Sequence, residues 1–167
     1  MTVALRIETL RRDHAVDGFE CGHPALDLFL VRFAFPAQQA GASRTYVALV
    51  ESVVVGFHTL VVGDVAPADA PERLTKGLAR HPVPLIVLAR LAVHRAWQGR
   101  GIGAGLLRDA MERTLQVAEI AGIRALAVHA KDERAVSFYS HFGFVPSPTD
   151  PMHLFVLLKD VRRMLGN

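Results

Sequence analysis

Four glycines at alternate positions, Gly99, Gly101, Gly103 and Gly105, follow an apolar run and open a helical pattern. Losing side chains where a helix begins lets a ligand approach the backbone, and the first amides of a helix have no intrahelical partner. With the positive helix end behind them, these amides form a seat for an anion, suited to a pyrophosphate. Two phosphate motifs compete for the segment. Gly99-Arg100-Gly101-Ile102-Gly103-Ala104 satisfies the dinucleotide fingerprint G-x-G-x-x-A. A dinucleotide turn, however, follows its strand tightly and is itself followed by further strand and helix units. Here His94 to Gln98 intervene after Val93, and roughly one more strand-helix pair remains. A P-loop is excluded, since no Gly-Lys-Ser/Thr occurs. The other spacing is Gln98-x-x-Gly101-x-Gly103.

Further residues with chemical potential are sparse. The single cysteine, Cys21, excludes an internal disulfide and has only His23 as a basic neighbour, so it reads as a small buried hydrophobe. None of the eight histidines has the paired spacing of a zinc site, and no metal is assigned. No carboxylate stands out as a general base.

The elements that must position the loop follow from periodicity. Val3 to Thr9 alternates as a first strand, and His14 to Cys21 is a loop. Pro24 opens a helix with Leu26, Phe29, Leu30 and Phe33 on one face, broken or bent at Pro36. Arg44 to Val50 and Val53 to Val61 read as antiparallel strands joined at Glu51-Ser52. The proline-bearing connection from Gly63 to Pro84 is expected to hold a helix over 72–80, with Arg73, Lys76, Arg80 and His81 as basic residues. Leu85 to Val93 is a strand buried on both faces. A helix runs from Gly101 to about Ala121, with Gly122 as its stop. Arg124 to Val128 is a strand, Asp132 caps the next helix, and strands near Phe144 and from His153 to Leu158 finish the sheet. The fold class is α/β with a mixed sheet.

At 167 residues, 51% hydrophobic and 21% charged, the chain reads as one globular domain over residues 1–167. Its apolar runs are short of a membrane span and its start lacks a signal-peptide design, so a cytoplasmic location is expected. The net charge of +3 comes from a composition in which arginine far outnumbers lysine. Arginine suits phosphate contact, and a solvated basic surface is an equal reading.

The loop Gln98-x-x-Gly101-x-Gly103, set between strand and helix, and the segment Ala135-Val136-Ser137-Phe138-Tyr139-Ser140-His141-Phe142-Gly143-Phe144 resemble the GNAT superfamily of acetyl-CoA dependent N-acetyltransferases. Four further segments are similar to one branch of it: Ala89-Arg90-Leu91-Ala92-Val93, Phe19-Glu20-Cys21-Gly22 with Leu26-Asp27, Ala42 to Val47, and Val128-His129-Ala130. That branch is the bacterial toxins that acetylate aminoacyl-tRNA and are paired with a ribbon-helix-helix antitoxin. The resemblance implies a mostly antiparallel central sheet with a splayed central strand, acetyl-CoA as cosubstrate without a metal, and a homodimer. It implies that Leu91, Ala92 and Val93 bind the pantetheine arm and polarise the thioester, and that Gly99, Arg100, Gly101, Ile102, Gly103 and Ala104 hold the pyrophosphate with help from the Gln98 and Arg100 side chains. It implies further that Asp132, Ala135 and Phe138 line the coenzyme, with Asp132 standing where many such enzymes have Asn. Tyr139 is the implied proton donor.

The chemistry supports that role. A phenol near pKa 10 stays protonated where a thiol near 8.5 must receive a proton. A missing general base fits an acceptor α-amine, which titrates near 7.7–8.0, better than a lysine near 10.4. The expected reaction is acetyl transfer to aminoacyl-tRNA. Transfer to a small-molecule amine or a protein N-terminus, and a non-catalytic acyl-CoA module, are the other readings.

Overall fold

The computed structural model describes residues 4–78 and 80–166. Val3, at the head of the expected first strand, and Ala79, inside the expected 72–80 helix, lie outside the described residues, as do Met1, Thr2 and Asn167.

The chain runs β1 (Leu5–Thr9), α1 (Pro24–Leu28), a π-helical turn (Phe29–Phe33), α2 (Ala34–Gln39), β2 (Arg44–Val50), β3 (Val53–Val65), α3 (Glu72–Thr75), β4 (Val83–Val93), α4 (Ile102–Ala118), β5 (Ala125–His129), α5 (Glu133–His141), β6 (Val145–Pro146), β7 (His153–Leu157) and α6 (Leu158–Leu165). The strand order is β1-β2-β3-β4-β5-β7-β6. β1–β2, β2–β3, β5–β7 and β6–β7 pair antiparallel, and β4–β5 pair parallel, which is the mixed sheet expected. The β4–β5 register covers Ile86–Leu88 and stops there, while β4 continues to Val93.

Two compact units divide the chain, Met1–Val61 with Ala89–Ala110, and Val62–Leu88 with Met111–Asn167. In the first, the end of β4 serves two apolar clusters by strict alternation. Ala92 packs with Phe29, Leu30 and Phe57, whereas Leu91 and Val93 pack beside Val55, Ile102 and Leu106. A bulge in the β2–β3 ladder inserts Val55 between Gly56, paired with Ala48, and Val54, paired with Leu49. The bulged Val55 carbonyl accepts from His94 N–H at 2.8 Å, anchoring the chain where β4 ends. Gly56 allows this approach, because a Cβ there would lie 2.9 Å from the Ala92 carbonyl oxygen.

In the second unit, Ala125 to Val128 of β5 are buried, and Ala125, Ala127, Phe155 and Leu157 share a cluster with Val83 and Leu85. Arg124, just ahead of β5, donates from Nε and Nη2 to the carbonyls of Leu74 and Lys76, tying down α3 and the chain after it.

Several elements depart from the sequence reading. The chain does not break at Pro36. Helical structure continues to Gln39, and the adjustment falls one turn earlier, where Ala34 N–H reaches back five residues to the Phe29 carbonyl. A proline clashes with the carbonyl four residues before it, and a widened turn relieves that crowding. The widening also rotates the expected face: Phe29 and Leu30 are buried, but Phe33 is 53% exposed. The 72–80 helix shrinks to one turn, because Lys76 turns extended at ψ 125° and Gly77 is left-handed at φ +81°. α4 ends at Ala118, not Ala121, and Gly122 is not its left-handed stop. Short bonds from Glu119 N–H to Gln116 O and from Ile120 N–H to Val117 O tighten its last turn instead. α6 starts without a sequence signal, since Leu157 offers no capping side chain to mark it.

Candidate active site

The five residues between β4 and the glycine loop are a built bracket. Arg95–Trp97 form a 3-10 turn capped by His94, whose Nδ1 accepts from Ala96 N–H at 3.1 Å. Arg95 N–H donates to the Glu20 carbonyl at 2.7 Å. Gln98 Nε2 donates to the Val93 carbonyl at 3.0 Å and to the Cys21 carbonyl at 3.1 Å. An amide nitrogen has two protons, and here both are spent on the protein. In this structure the Gln98 side chain therefore props the loop against the strand end; its donors do not point to a phosphate as the sequence reading expected.

Gly99 and Gly101 adopt φ +77° and +82°, a region that strains any side-chain-bearing residue. No heavy atom lies within 4 Å of a Cβ built at either position, so the loop is open above its backbone. The bond from Gly105 N–H to Gly101 O at 3.1 Å starts the α4 ladder, leaving the amides of Ile102, Gly103 and Ala104 outside it. No side chain of the described residues accepts from them. Successive amides set by left-handed glycines ahead of a 17-residue helix make an anion nest, and its donor-only chemistry fits a diphosphate. Arg100 adds a cation, its guanidinium 4.8 Å from the centroid of the Trp97 ring. Ile102 is buried with Leu106, which fixes the helix start to the unit's core.

The other expected site residues share α5 in the second unit. Asp132 is extended and its Oδ1 accepts from Ala135 N–H at 2.8 Å, the cap that the sequence predicted. That bond commits one carboxylate oxygen to the helix. Four residues on from Ala135, Tyr139 is buried, with its ring 5.1 Å from Phe138 and 5.3 Å from Phe144, both edge-on. Burial pushes the Tyr139 phenol well above its ordinary value. Local structure explains the motif around it. Gly143 is left-handed at φ +92°, its N–H bonds to Ser140 O, and Phe144 N–H bonds to Tyr139 O at 3.2 Å. That is a Schellman stop, completed by the Phe144–Tyr139 ring contact.

One buried pair escaped the sequence reading. His58 on β3 is fully enclosed, its Nε2 is 2.8 Å from Asp109 Oδ2 on α4, and its ring stacks on Tyr46 at 5.0 Å. It straps α4 to β3. The only signal was a histidine inside the apolar run Val53 to Val62. The basic residues near α3 gained a partner too: Arg73 forms a two-pronged ion pair with Asp160, at 2.8 and 3.1 Å. Among the described residues, no group of three or more His, Cys, Asp or Glu is placed to hold a metal ion.

Comparison with known proteins gives the family of the chain. The family model of the acetyltransferase (GNAT) domain matches residues 41–146, which include the glycine loop, Asp132 and Tyr139. Over 152 residues the chain is 47% identical to the tRNA-acetylating toxin of Mycobacterium tuberculosis, covering 91% of each. Among solved structures it is similar to AtaT complexed with acetyl-methionyl-tRNAfMet, with TM-score 0.89, 30% identity, and 96% and 99% of the two chains covered. It is also similar to a tyrosine-to-phenylalanine mutant of AtaT bound to the C-terminus of the antitoxin AtaR and acetyl-CoA, with TM-score 0.81, 29% identity, and 98% and 99% covered.

Proposed function

The chain belongs to the GNAT acetyltransferase family, and on that premise we propose that it moves the acetyl group of acetyl-CoA to the α-amino group of aminoacyl-tRNA, as the toxin of a toxin–antitoxin pair. The observation that carries the donor half is the open nest of amides at Gly99 to Ala104. The acceptor half rests on the 47% identity to a tRNA-acetylating toxin.

Acetyl-CoA supplies an activated acyl carbon on a good leaving group. Gly99, Arg100, Gly101, Ile102, Gly103 and Ala104 receive its diphosphate through main-chain N–H groups. Leu91, Ala92 and Val93, on the part of β4 beyond the β5 register, receive the pantetheine arm and the thioester carbonyl. At α5, Asp132, Ala135 and Phe138 are the residues proposed to contact the coenzyme. The amine attacks as its free base, so the new C–N bond forms while the C–S bond breaks. Tyr139 O–H then delivers its proton to the departing sulfur, and the proton lost from the acylated nitrogen restores the phenol. A phenol held above its ordinary value keeps that proton across the working pH range. A partner antitoxin of the ribbon-helix-helix type, a homodimer and action in the cytoplasm complete the reading. No helix of the described residues is long and apolar enough to cross a membrane.

The test is acetyl transfer from labelled acetyl-CoA to charged tRNA by the purified protein. Tyr139→Phe should keep acetyl-CoA affinity and lose on the order of 10²–10⁴-fold in kcat, the usual worth of a positioned acid. Acetylation of free amines with charged tRNA untouched would overturn the acceptor; undiminished turnover in Tyr139→Phe would overturn the acid.

A further inference from the structure

Three arginines of the first unit are answered by carboxylates. Arg6 pairs with Glu8, Arg11 with Glu8 and Asp13, and Arg95 with Glu20. Arg12 and Arg100 lie against the Phe35 and Trp97 rings as exposed side chains, whereas Arg90, on β4 directly before Leu91, meets its ring half-buried. Its guanidinium lies 3.7 Å from the centroid of the Phe29 ring, and no carboxylate of the described residues pairs with it. The side chain is half-buried, and burial alone lowers its affinity for its proton. A cation drawn out of water with only an aromatic face for company is costly unless an anion joins it.

The local architecture holds this arrangement in place. Alternation along β4 puts Arg90 on the face of Ala92, the face that packs with Phe29. Phe29 opens the π-helical turn and is pinned there by the Ala34 N–H bond to its carbonyl. At the other end of the turn a cation, Arg32, and an aromatic ring, Phe33, are exposed. Binders of single-stranded nucleic acid combine the same two features.

The chemistry of the acceptor selects the anion. In an aminoacyl ester the amino-acid carboxyl is esterified and neutral, so the negative charge nearest the reacting amine is the last phosphodiester of the RNA. We propose that Arg90, clamped on Phe29, binds that 3′-terminal phosphodiester and thereby positions the ester-linked amine for transfer. The inference rests on the aminoacyl-tRNA reading above. Arg90 is a positioning residue, since its contact is to a part of the acceptor that does not react.

The experiment compares aminoacyl-tRNA with the methyl ester of the same amino acid, which has the amine and ester and lacks phosphate. Arg90→Gln should raise KM for aminoacyl-tRNA by about tenfold with little change in kcat, so that preference for the tRNA over the methyl ester falls by that factor. The log–log salt slope of tRNA binding should shrink by about 0.7, one single-strand phosphate. Arg90→Lys should restore the slope and only part of the affinity, because it keeps the charge and loses the planar fork. Equal losses on both acceptors, or an unchanged salt slope in Arg90→Gln, would overturn the proposal. The acceptor reading itself fails separately, if the unmodified protein acetylates the methyl ester and leaves charged tRNA alone.

Discussion

Two helices of this chain start after a strand and a short loop, and their first turns are built in opposite ways. At α5 the chain supplies its own anion, with Asp132 Oδ1 seated on Ala135 N–H at 2.8 Å. At α4 the loop turns through two left-handed glycines and no side chain of the described residues fills the nest. The electrostatics of the two helix ends are alike. One carboxylate separates an end that is closed and structural from one left open to a ligand.

Substitutions that break the difference are ranked by expected effect. Gly56→Ala strikes the support under α4, since its methyl would meet Ala92 O and Leu106 Cδ1, both at 2.9 Å. A loss of about 2 kcal/mol in unfolding free energy is expected, typical of an overpacked core, with weaker acetyl-CoA binding because the strand end must shift. Denaturant melts and calorimetry measure both. Gly101→Ala has room for its methyl and no comfortable φ at +82°. Strain of about 1–2 kcal/mol should appear chiefly as a tenfold or greater weakening of acetyl-CoA, as the nest relaxes out of shape. Full affinity in that variant would show that the glycine conformation is not what binds. Asp132→Ala removes the closed cap and should cost about 1 kcal/mol of stability.

The smallest effect is confined to low pH. Glu8 on β1 is held at about 2, first by the His14 hydrogen bond and then by Arg11 and Arg6. Its folded value is depressed, so its contribution is present above the ordinary value of 4.5 and is lost as the pH falls towards about 2. Glu8→Gln should flatten the acid limb of the stability curve in that window and leave neutral pH nearly unchanged.

The open helix start was legible in the sequence because its geometry is written in residue types: left-handed φ needs glycine, and alternate glycines before an apolar stripe mark the place. The α5 signature was legible for the same reason, with Asp132 as cap and Gly143 as stop. β2, β4, β5 and β7 followed from apolar runs to within two residues at each end. What stayed hidden depends on partners distant in the chain. Gln98 gave no sign that its amide belongs to Cys21 and Val93, nor Arg73 that Asp160, 87 positions on, would claim it. The His58–Asp109 strap spans 51 positions. The π-helical turn was hidden differently. Pro36 announced a disturbance, but where the helix would absorb it was decided by the packing of Phe29 and Leu30.

The grip of the glycine loop on a diphosphate is tested most directly by calorimetric titration with acetyl-CoA and, in parallel, with acetylpantetheine, which keeps the thioester and arm and lacks the diphosphate and the adenosine 3′-phosphate attached to it. Acetylpantetheine should bind weaker by about 100-fold or more, ~3 kcal/mol, and Gly101→Ala should narrow the gap by weakening acetyl-CoA alone. Equal affinity for the two ligands would contradict that grip.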